Sequence, residues 1–343
     1  YMRAEGDEIV MGNGLLEIRL NSRGEMTDCR DAQGIRRIGE KANVLHMYKD
    51  VPRKFDAWDI DSMYPLSPVE LDGTSAIEPI ENTPWHCAAR VTRRIGHSDW
   101  VQTISMTAGK PQVDFDTRVF WHETHRLLKA AFQTGIQTDE AINEIQFGYV
   151  RRPTHQSRHY DADRFEVCNH RYTALCDEGR GAAVLNESKY GISQLGDTLA
   201  LTLLRAAKSP DFHADQGEQH FAYSYYLWDG AFVDSDVVRA GYEFNVPVTS
   251  AKGCADFSLL SVDKPNVVVE TVKAAEDGSG DIVIRLYESK RASCTAELTL
   301  NMPVSSVYAC DMMENRQNEL ACSEGKVKLP LRGFEIVTLR VKK

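Results

Sequence analysis

The sequence predicts an all-β protein, a large antiparallel supersandwich followed by a small C-terminal β-sandwich. Apolar residues recur at every second position in several runs, as at Leu16, Ile18 and Leu20, and a period of two is typical of a half-buried strand. Turn signals such as Asp229-Gly230 separate these runs. Closely spaced strands with turns between them and few helical segments are characteristic of antiparallel sandwiches.

Two long runs define the first domain. Residues 113–119 alternate apolar with charged side chains, and residues 221–227 carry apolar and aromatic side chains on one face. Only residues 125–133 could pass for a helix. We predict a strand there because the run is short, lacks a clear N-terminal cap and lies between strand-like runs.

A domain boundary is predicted near Asp263-Lys264-Pro265, so that residues 1–262 form the supersandwich and residues 263–343 form the small sandwich. The last part of the chain is compact and rich in short strand patterns, as in a terminal β-sandwich. Its predicted strands are 267–272, 282–287, 296–300, 304–308, 326–329 and 335–341.

Composition excludes several classes of protein. The 343 residues include 42% hydrophobic and 26% charged side chains, as in soluble globular proteins. The formal net charge of -10 argues against a nucleic-acid partner, which would require clustered positive charge. No apolar run approaches the roughly 18 residues that cross a membrane, so no membrane partner is expected. The polar start does not resemble a signal peptide, and Tyr1 is not an initiator, so we expect the chain to begin within a longer gene product.

Eight cysteines are present and none belongs to a C-x-x-C pair, so a structural zinc knot is not expected. A chain of this length does not need disulfides for its stability. We therefore predict mostly free, buried thiols in a reducing compartment, and a cytoplasmic location. The glycosylation sequon at Asn186 is a short pattern that matches by chance.

Three segments concentrate polar and aromatic residues. In the first, residues 54–61, three carboxylates surround Trp58. A tryptophan beside carboxylates suits a sugar, because the C–H face of a pyranose packs on the ring while the acids accept hydrogen bonds from its hydroxyls. An acidic loop anchored by its tryptophan explains the same pattern equally well.

The other two segments contain histidine and arginine. Residues 165–172 and 185–191 alternate polar with apolar side chains, so a strand could present Glu166, Asn169 or His170, although a lone histidine is more often a structural hydrogen-bonding residue. Residues 203–221 contain an apolar run that ends in Arg205. With neighbouring Asp, Glu and His side chains this guanidinium could bind pairs of hydroxyls, and a surface ion-pair network is an equally open interpretation.

No metal or nucleophile site can be assembled from the sequence. His122 and His125 form an H-x-x-H pair, but residues three apart on a strand face opposite sides of the sheet. The motifs of zinc proteases, phosphate-binding loops, dinucleotide-binding folds and serine hydrolases do not occur in the sequence.

Several segments resemble the β-domain of glycoside hydrolase family 38. They are FDAWDID at 55–61, EIQFGYVRRP at 144–153, FEVCNHRY at 165–172, GAAVLNESKYG at 181–191, LLRAAKSPD at 203–211, ADQGEQHF at 214–221 and RLYES at 285–289. The likeness covers nearly the whole chain in order, which makes the set specific although no single segment is. The resemblance implies a supersandwich similar to galactose mutarotases.

The resemblance further implies that this chain is the C-terminal part of a retaining α-mannosidase whose full-length form uses zinc. Retention implies a carboxylate nucleophile and a second carboxyl group that acts as acid and then as base. In the family, these groups and the zinc ligands belong to an N-terminal catalytic domain, and no segment of residues 1–343 matches its motifs. We therefore assign no catalytic and no metal-binding residue, and expect the chain alone to bind no zinc and to be inactive.

In the family, the β-domain contributes to the wall of the substrate pocket. By matching segments, the resemblance implies substrate binding by Asp56, Trp58, Asp59, Arg205, Asp215 and His220. Cys168 stands where the family has proline, which puts the local geometry of the following residues in doubt. The implied partners are α-mannoside oligosaccharides and the N-terminal catalytic domain of the same polypeptide. The sequence leaves open whether the protein forms a homo-oligomer.

Two other functions fit the predicted fold. A free-standing aldose epimerase of the mutarotase type would need a His/Glu acid–base pair on the concave sheet, for which His170 and His220 are available. A non-catalytic carbohydrate-binding module would need only a concave binding face. Polarimetry of sugar anomerisation tests the first function, and calorimetry with mannose and mannobiose tests the second.

Overall fold

The computed structural model describes residues 1–253 and 256–343. In this part of the chain nearly all regular structure is antiparallel strand, and the predicted all-β class is confirmed. The helical elements are α1 (His159–Ala162), α2 (Val237–Asn245) and the 3-10 turns Tyr64–Leu66 and Phe232–Asp234. Neither α-helix of the described residues has the length and apolar character needed to cross a membrane.

Nineteen strands of the described residues precede helix α2 in the chain. They are β1 (Met2–Glu5), β2 (Glu8–Gly12), β3 (Leu16–Leu20), β4 (Met26–Asp31), β5 (Ala42–Lys49), β6 (Pro68–Val69), β7 (Ser75–Asn82), β8 (His86–Ile95), β9 (Ser98–Thr107), β10 (Gln112–Trp121), β11 (Arg126–Gln133), β12 (Glu140–Ile145), β13 (Gly148–Pro153), β14 (Val167–Cys168), β15 (Tyr172–Cys176), β16 (Arg180–Asn186), β17 (Gly191–Leu195), β18 (Thr198–Leu204) and β19 (Gly217–Asp229).

Nine strands of the described residues follow helix α2. They are β20 (Leu260–Val262), β21 (Val267–Ala274), β22 (Ile282–Glu288), β23 (Cys294–Leu300), β24 (Ser306–Cys310), β25 (Arg316–Leu320), β26 (Cys322–Ser323), β27 (Lys326–Leu331) and β28 (Ile336–Lys342). All six strands predicted for this region are present, with bounds that differ by a few residues.

Four sheets form in the described part of the chain. The ten-stranded sheet has the order β1-β2-β3-β4-β5-β11-β18-β17-β14, with β6 paired to β5, and the nine-stranded sheet has the order β13-β12-β15-β16-β19-β10-β9-β8-β7. The two smaller sheets have the orders β20-β23-β27-β26 and β21-β22-β28-β24-β25. The predicted large sandwich followed by a small one is therefore confirmed.

The main core lies between the two large sheets. Phe115 on β10 and Tyr223 on β19 are register partners in the nine-stranded sheet, and their rings stack with centroids 5.2 Å apart. Phe132 on β11, in the ten-stranded sheet, meets Phe115 edge to face at 5.8 Å. The alternating residues of β10 and β19 thus face the core as their period of two predicts.

Strand β11 confirms the strand predicted for residues 125–133. It pairs with β5 on one side and β18 on the other, and all six of its inner residues are buried. Because both faces of β11 are covered, its sequence lacks the alternation of a half-buried strand. This double burial is why the segment could pass for a short helix.

The chain forms two compact units, residues 1–144 with 151–247, and residues 145–150 with 248–343. The boundary predicted between residues 262 and 263 lies inside the second unit. Leu260 on β20 pairs with Leu300 on β23, so the strand before the predicted boundary already belongs to the small sandwich. The structure therefore divides the chain at residue 247 and adds residues 145–150 to the second unit.

Glu288, from the RLYES segment, organises the second unit. Its side chain is fully buried at the end of β22. The carboxylate accepts hydrogen bonds from the Asn266 amide at 2.9 Å and from the backbone N–H groups of Lys290 and Phe334 at 2.8 and 3.0 Å. Buried carboxylates require such partners, so this residue is structural.

The cysteines of the described residues are free, as predicted, but most of them are not buried. Cys29 and Cys87 are buried, Cys168 is exposed, and the remaining four are partly exposed. Cys254 lies outside the described residues. The sequon asparagine, Asn186, is fully buried and donates its side-chain amide to Asn169 Oδ1 at 2.9 Å, so it does not present a glycosylation site.

Gly181 on β16 permits a close approach between neighbouring strands. A Cβ atom at this position would lie 1.9 Å from the indole of Trp228, its register partner on β19. We expect Gly181→Ala to lower the free energy of unfolding by about 1–3 kcal/mol, because a buried indole must move. Urea denaturation measures this cost. Gly179→Ala is the control, since the nearest atom is 3.5 Å away there, and equal losses in both variants would contradict the explanation.

Candidate functional site

The Trp58 loop, defined as residues 50–61, follows β5 and is held by the residue that follows β18. That residue is Arg205, and its Nε donates to Asp50 Oδ2 at 2.5 Å. Its Nη atoms donate to three loop carbonyl oxygens, those of Asp56, Ala57 and Asp59, at 3.2, 3.3 and 2.6 Å. The side chain of Asp50 is only 3% exposed, so the ion pair is buried.

Arg205 therefore determines the shape of the loop. A guanidinium has five N–H donors, and this one makes four hydrogen bonds within the protein. The alternative of an ion-pair network holds in that Arg205 pairs with a carboxylate of this chain, but that carboxylate is buried and does not lie at the surface. Direct contact of Arg205 with a substrate stays a prediction.

Asp56 ties the same loop to the segment after Arg205. Its Oδ2 accepts the backbone N–H groups of Lys208 and Ser209 at 2.6 and 3.0 Å, and lies 3.1 Å from His125 Nε2. Burial alone would raise the pKa of the Asp56 carboxyl, but these partners hold that pKa below its usual range. Asp56 thus stabilises the loop from within.

The lowered pKa of Asp56 predicts that the loop loosens in acid. A carboxyl group whose pKa is lower in the folded state stabilises the fold above its unfolded pKa, about 3.9. This contribution disappears as the pH falls through the lower, folded value. We expect the Lys208 and Ser209 amides, which bond to Asp56, to lose protection from hydrogen exchange below about pH 4 after correction for intrinsic rates. Asp56→Asn should remove this pH dependence, and protection that stays constant in the unmodified protein would contradict the assignment.

Trp58 and Phe55 project from the loop, with 74% and 67% of their surfaces exposed. The Trp58 N–H donates to the Phe55 carbonyl at 2.8 Å, which closes the turn. Asp59 is also exposed, and its Oδ1 accepts the Ile60 N–H at 3.1 Å. The alternative of a loop anchored by its tryptophan is wrong, because the indole is outside. An exposed indole beside a carboxylate is the arrangement that a sugar platform requires.

Asp215 and His220 have different surroundings. Asp215 Oδ2 accepts the backbone N–H of Arg205 at 3.1 Å, so it lies beside the residue that holds the loop. Loss of surrounding water raises the pKa of the Asp215 carboxyl, although Arg205 and nearby Lys189 oppose the shift. His220 lies on β19, where its Nε2 is 3.0 Å from Asp116 Oδ2 on β10. The six predicted residues therefore form one group of five, with His220 in a separate pair.

Sequence reasoning missed the partners that fix the Trp58 loop. Asp50 is 155 positions from Arg205 along the chain, and His125 is 69 positions from Asp56. Asp50 belongs to no recognisable motif, and His125 was considered only as half of the H-x-x-H pair. The one signal in the sequence was the apolar run that ends in Arg205, which marks where the strand leaves the core.

A buried polar cluster beneath the loop end was also missed. Lys129 Nζ contacts Glu166 Oε1 and lies 3.2 Å from Tyr64 Oη and 2.9 Å from Ser193 Oγ. Tyr64 donates its hydroxyl to Glu166 Oε1 at 2.7 Å. Burial lowers the pKa of Lys129, while the Glu166 carboxylate opposes that shift. A lysine within the predicted strand 125–133 was the only indication of this cluster.

Two segments match known domains. Residues 11–213 match the Glycosyl hydrolases family 38 C-terminal domain, and residues 266–339 match the Glycosyl hydrolases family 38 C-terminal beta sandwich domain. The chain belongs to glycoside hydrolase family 38. The resemblance to the C-terminal region of this family is therefore confirmed.

Curated relatives of this family 38 chain are α-mannosidases. It is 34% identical to Alpha-mannosidase 2C1 of Homo sapiens in an alignment of 349 positions that covers 96% of this chain and 33% of that protein. It is also 34% identical to Alpha-mannosidase G of Dictyostelium discoideum in an alignment of 358 positions that covers 98% of this chain and 33% of that protein. The chain thus spans about a third of the length of these relatives.

A solved structure supports the family 38 fold. The crystal structure of an alpha-mannosidase from Enterococcus faecalis V583 matches with a TM-score of 0.81 and 18% sequence identity. The match covers 100% of this chain and 43% of that chain. At 18% sequence identity, this structural similarity establishes the fold alone.

Residues 1–253 and 256–343 contain no group of three or more His, Cys, Asp or Glu side chains that could hold a metal ion. Asp56, which lies beside His125, accepts hydrogen bonds from the Lys208 and Ser209 N–H groups. We derive no chemical step through zinc from the described side chains.

Proposed function

We propose that this chain is the C-terminal part of an α-mannosidase, and that the complete enzyme hydrolyses terminal α-mannosides. Membership of family 38 and the α-mannosidase relatives that align over 96–98% of the chain support this proposal. The partners it implies are α-mannoside oligosaccharides and an N-terminal catalytic domain of the same polypeptide.

The chemistry is assigned to the part of the polypeptide outside this chain. A retaining glycosidase needs two carboxyl groups about 5–5.5 Å apart, one as nucleophile and one as acid and base. Zinc bound by His and Asp side chains of that catalytic domain would gather the mannose hydroxyls. The residues of the present chain would position the substrate only.

The exposed Trp58, on a loop fixed by Arg205, carries the proposal for this chain's own role. A loop backbone that is already held in place loses little further conformational entropy when an aromatic side chain on it binds a sugar. We propose that Trp58 and Asp59 form part of the wall of the substrate cleft, and that Asp56 and Arg205 hold them in place. Asp215 supports Arg205, and His220 is the least supported member of the set, because its partner is Asp116 on the nine-stranded sheet.

Turnover of an aryl α-mannoside by the complete polypeptide tests the cleft wall. We expect Trp58→Ala to lower kcat/KM by about tenfold or more, since the loss of a stacked aromatic face costs on the order of 1–3 kcal/mol. Trp85→Ala is the matched control, because Trp85 is 70% exposed in the turn between β7 and β8. Equal effects of the two substitutions would remove Trp58 from the cleft. Turnover by the isolated chain with added zinc would overturn the assignment of the chemistry to another domain.

A cytoplasmic location is part of the proposal. The seven cysteines of the described residues are all free, five of them at least partly exposed, and exposed thiols persist in reducing compartments. The aldose epimerase alternative receives no comparable support, because the carboxylate that lies 3.0 Å from His220 Nε2 is that of Asp116 and not that of a glutamate.

A further inference from the structure

A cavity lies on the outer face of the ten-stranded sheet. Tyr48 of β5 lines it, and the neighbouring residue Met47 faces the core on the other side of the sheet. Residues 62–66 and 153–165 cover the cavity, and residues 193–195 complete its wall. The volume is about 460 Å³, within the roughly 300–1,000 Å³ that is usual for small-molecule sites.

Aromatic rings form one side of this cavity. Tyr48 and Tyr64 meet edge to face with centroids 5.0 Å apart, and Phe165 is 6.4 Å from Tyr64. Three aromatic residues from three separate segments thus converge on one space. Such surfaces accept the C–H faces of sugar rings while their hydroxyls remain available for hydrogen bonds.

Uncommitted polar groups lie beside the rings. Within residues 1–253 and 256–343, the hydroxyl of Tyr48 and the amide of Gln156 have no hydrogen-bond partner, although both residues line the cavity. Arg164 is exposed and its Nη1 is 3.7 Å from Asp161 Oδ1, beyond hydrogen-bond distance. A hydroxyl, an amide and a guanidinium together supply the donors and acceptors that a polyhydroxyl ligand uses.

The Asp161 carboxylate beside the cavity already has a partner. Arg158 Nε and Nη2 donate to its two oxygens at 3.0 and 3.1 Å, whereas Arg164 Nη1 stands 3.7 Å away. Arg164 therefore keeps guanidinium donors that can bind ligand hydroxyls in pairs. Beneath the lining, the charge of Lys129 is matched by Glu166.

The buried cluster gives this wall a fixed shape. Tyr64 donates to Glu166 and accepts from Lys129 Nζ at 3.2 Å, and Ser193 Oγ also accepts from Lys129 at 2.9 Å. Tyr64 and Ser193 both line the cavity. A wall held by internal hydrogen bonds does not have to be ordered when a ligand arrives.

We propose that this cavity binds one hexopyranose unit of an α-mannoside oligosaccharide. Aromatic faces, free hydrogen-bond donors and acceptors, and a fixed wall together favour a polyhydroxyl ligand over an apolar one. The choice of a mannoside rests on the proposed function. The chain would then hold a glycan at a second position, separate from the Trp58 platform.

Calorimetric titration of the 343-residue chain with α-mannotriose tests this site. We expect saturable binding that Gln156→Ala and Arg164→Ala each weaken roughly threefold or more, the effect of losing one hydrogen bond. Both residues are exposed, so neither change should disturb folding. Tyr48→Phe, which removes only a hydroxyl, should weaken binding similarly, and Trp85→Ala should leave it unchanged.

Absence of saturable binding at millimolar mannotriose would overturn the site. Binding that is insensitive to all three substitutions would do the same, because the glycan would then lie elsewhere. Failure of the proposed function is a separate result, since it is measured as lack of aryl α-mannoside turnover by the complete polypeptide. A chain that binds mannotriose through Gln156 and Arg164 keeps the site even if that turnover is absent.

Discussion

Replacement of Lys129 by methionine is expected to lower the free energy of unfolding of the first unit by about 3–5 kcal/mol. The Lys129 side chain is 2% exposed and the Glu166 side chain 12%, so the substitution leaves a carboxylate in the protein interior without its counterion. Removal of one partner of a buried ion pair has a cost of this size, because the remaining charge keeps its desolvation penalty. Methionine fills a similar volume, so the cavity contribution is small.

Urea denaturation followed by tryptophan fluorescence measures this loss. All five tryptophans, at positions 58, 85, 100, 121 and 228, lie in the first unit, so the signal reports that unit alone. The control is the double variant Lys129→Met with Glu166→Leu, in which no uncompensated charge remains. We expect it to recover most of the stability, because apolar replacement of a whole buried pair is often close to neutral. A single variant that loses less than about 1 kcal/mol would contradict a buried ionic cluster.

Replacement of Arg205 by alanine should release the Trp58 loop and destabilise the first unit by about 3 kcal/mol. Asp50, 3% exposed, would lose its ion-pair partner, and three backbone carbonyl oxygens would lose a common donor. The expected cost lies at the lower end of the range for broken buried pairs, because the Arg205 side chain is itself 16% exposed. The lost order should appear as faster hydrogen exchange in residues 53–61.

Arg205→Lys separates charge from geometry at this position. Lysine restores a positive charge near Asp50, but its single ammonium group cannot reach the same set of acceptors as a planar guanidinium. We expect it to recover part of the stability while the loop amides remain poorly protected. Arg205→Ala with unchanged exchange in residues 53–61 would mean that the loop holds its shape through other contacts.

The strands that the sequence predicts best are those with one face in water. Residues 113–119 and 221–227 alternate, and β10 and β19 bury the expected faces. Strand β11 was predicted with weaker evidence, because burial on both faces removes the alternation. The small strands β20, β25 and β26 were not predicted. Strands β20 and β26 have only three and two residues, too few to show a period, and β25 is almost wholly exposed, so it lacks alternating apolar residues.

The candidate site was predictable in its exposed part only. Trp58 and Asp59 stand in a short segment whose composition indicates a surface role, and both are exposed. The roles of Asp56 and Arg205 as internal supports depend on Asp50, Lys208 and other distant partners. Pairings over such separations are decided by tertiary packing, and a single sequence contains no local signal for them.

Residues 145–150, which run from the end of β12 into the first half of β13, set a condition on the order of folding. Phe147 and Tyr149 meet Tyr287 and Phe334 edge to face at 5.3 and 5.0 Å, so they belong to a unit whose other residues are at the far end of the chain. During synthesis these two aromatic residues leave the ribosome long before their partners, and contacts of high sequence separation form late. Phe147 cannot meet Tyr287 until β22 has been made, and Tyr149 cannot meet Phe334 until the segment before β28 has been made. Until then both rings lack these native partners, so this part of the second unit can form only after almost the whole chain has been synthesised.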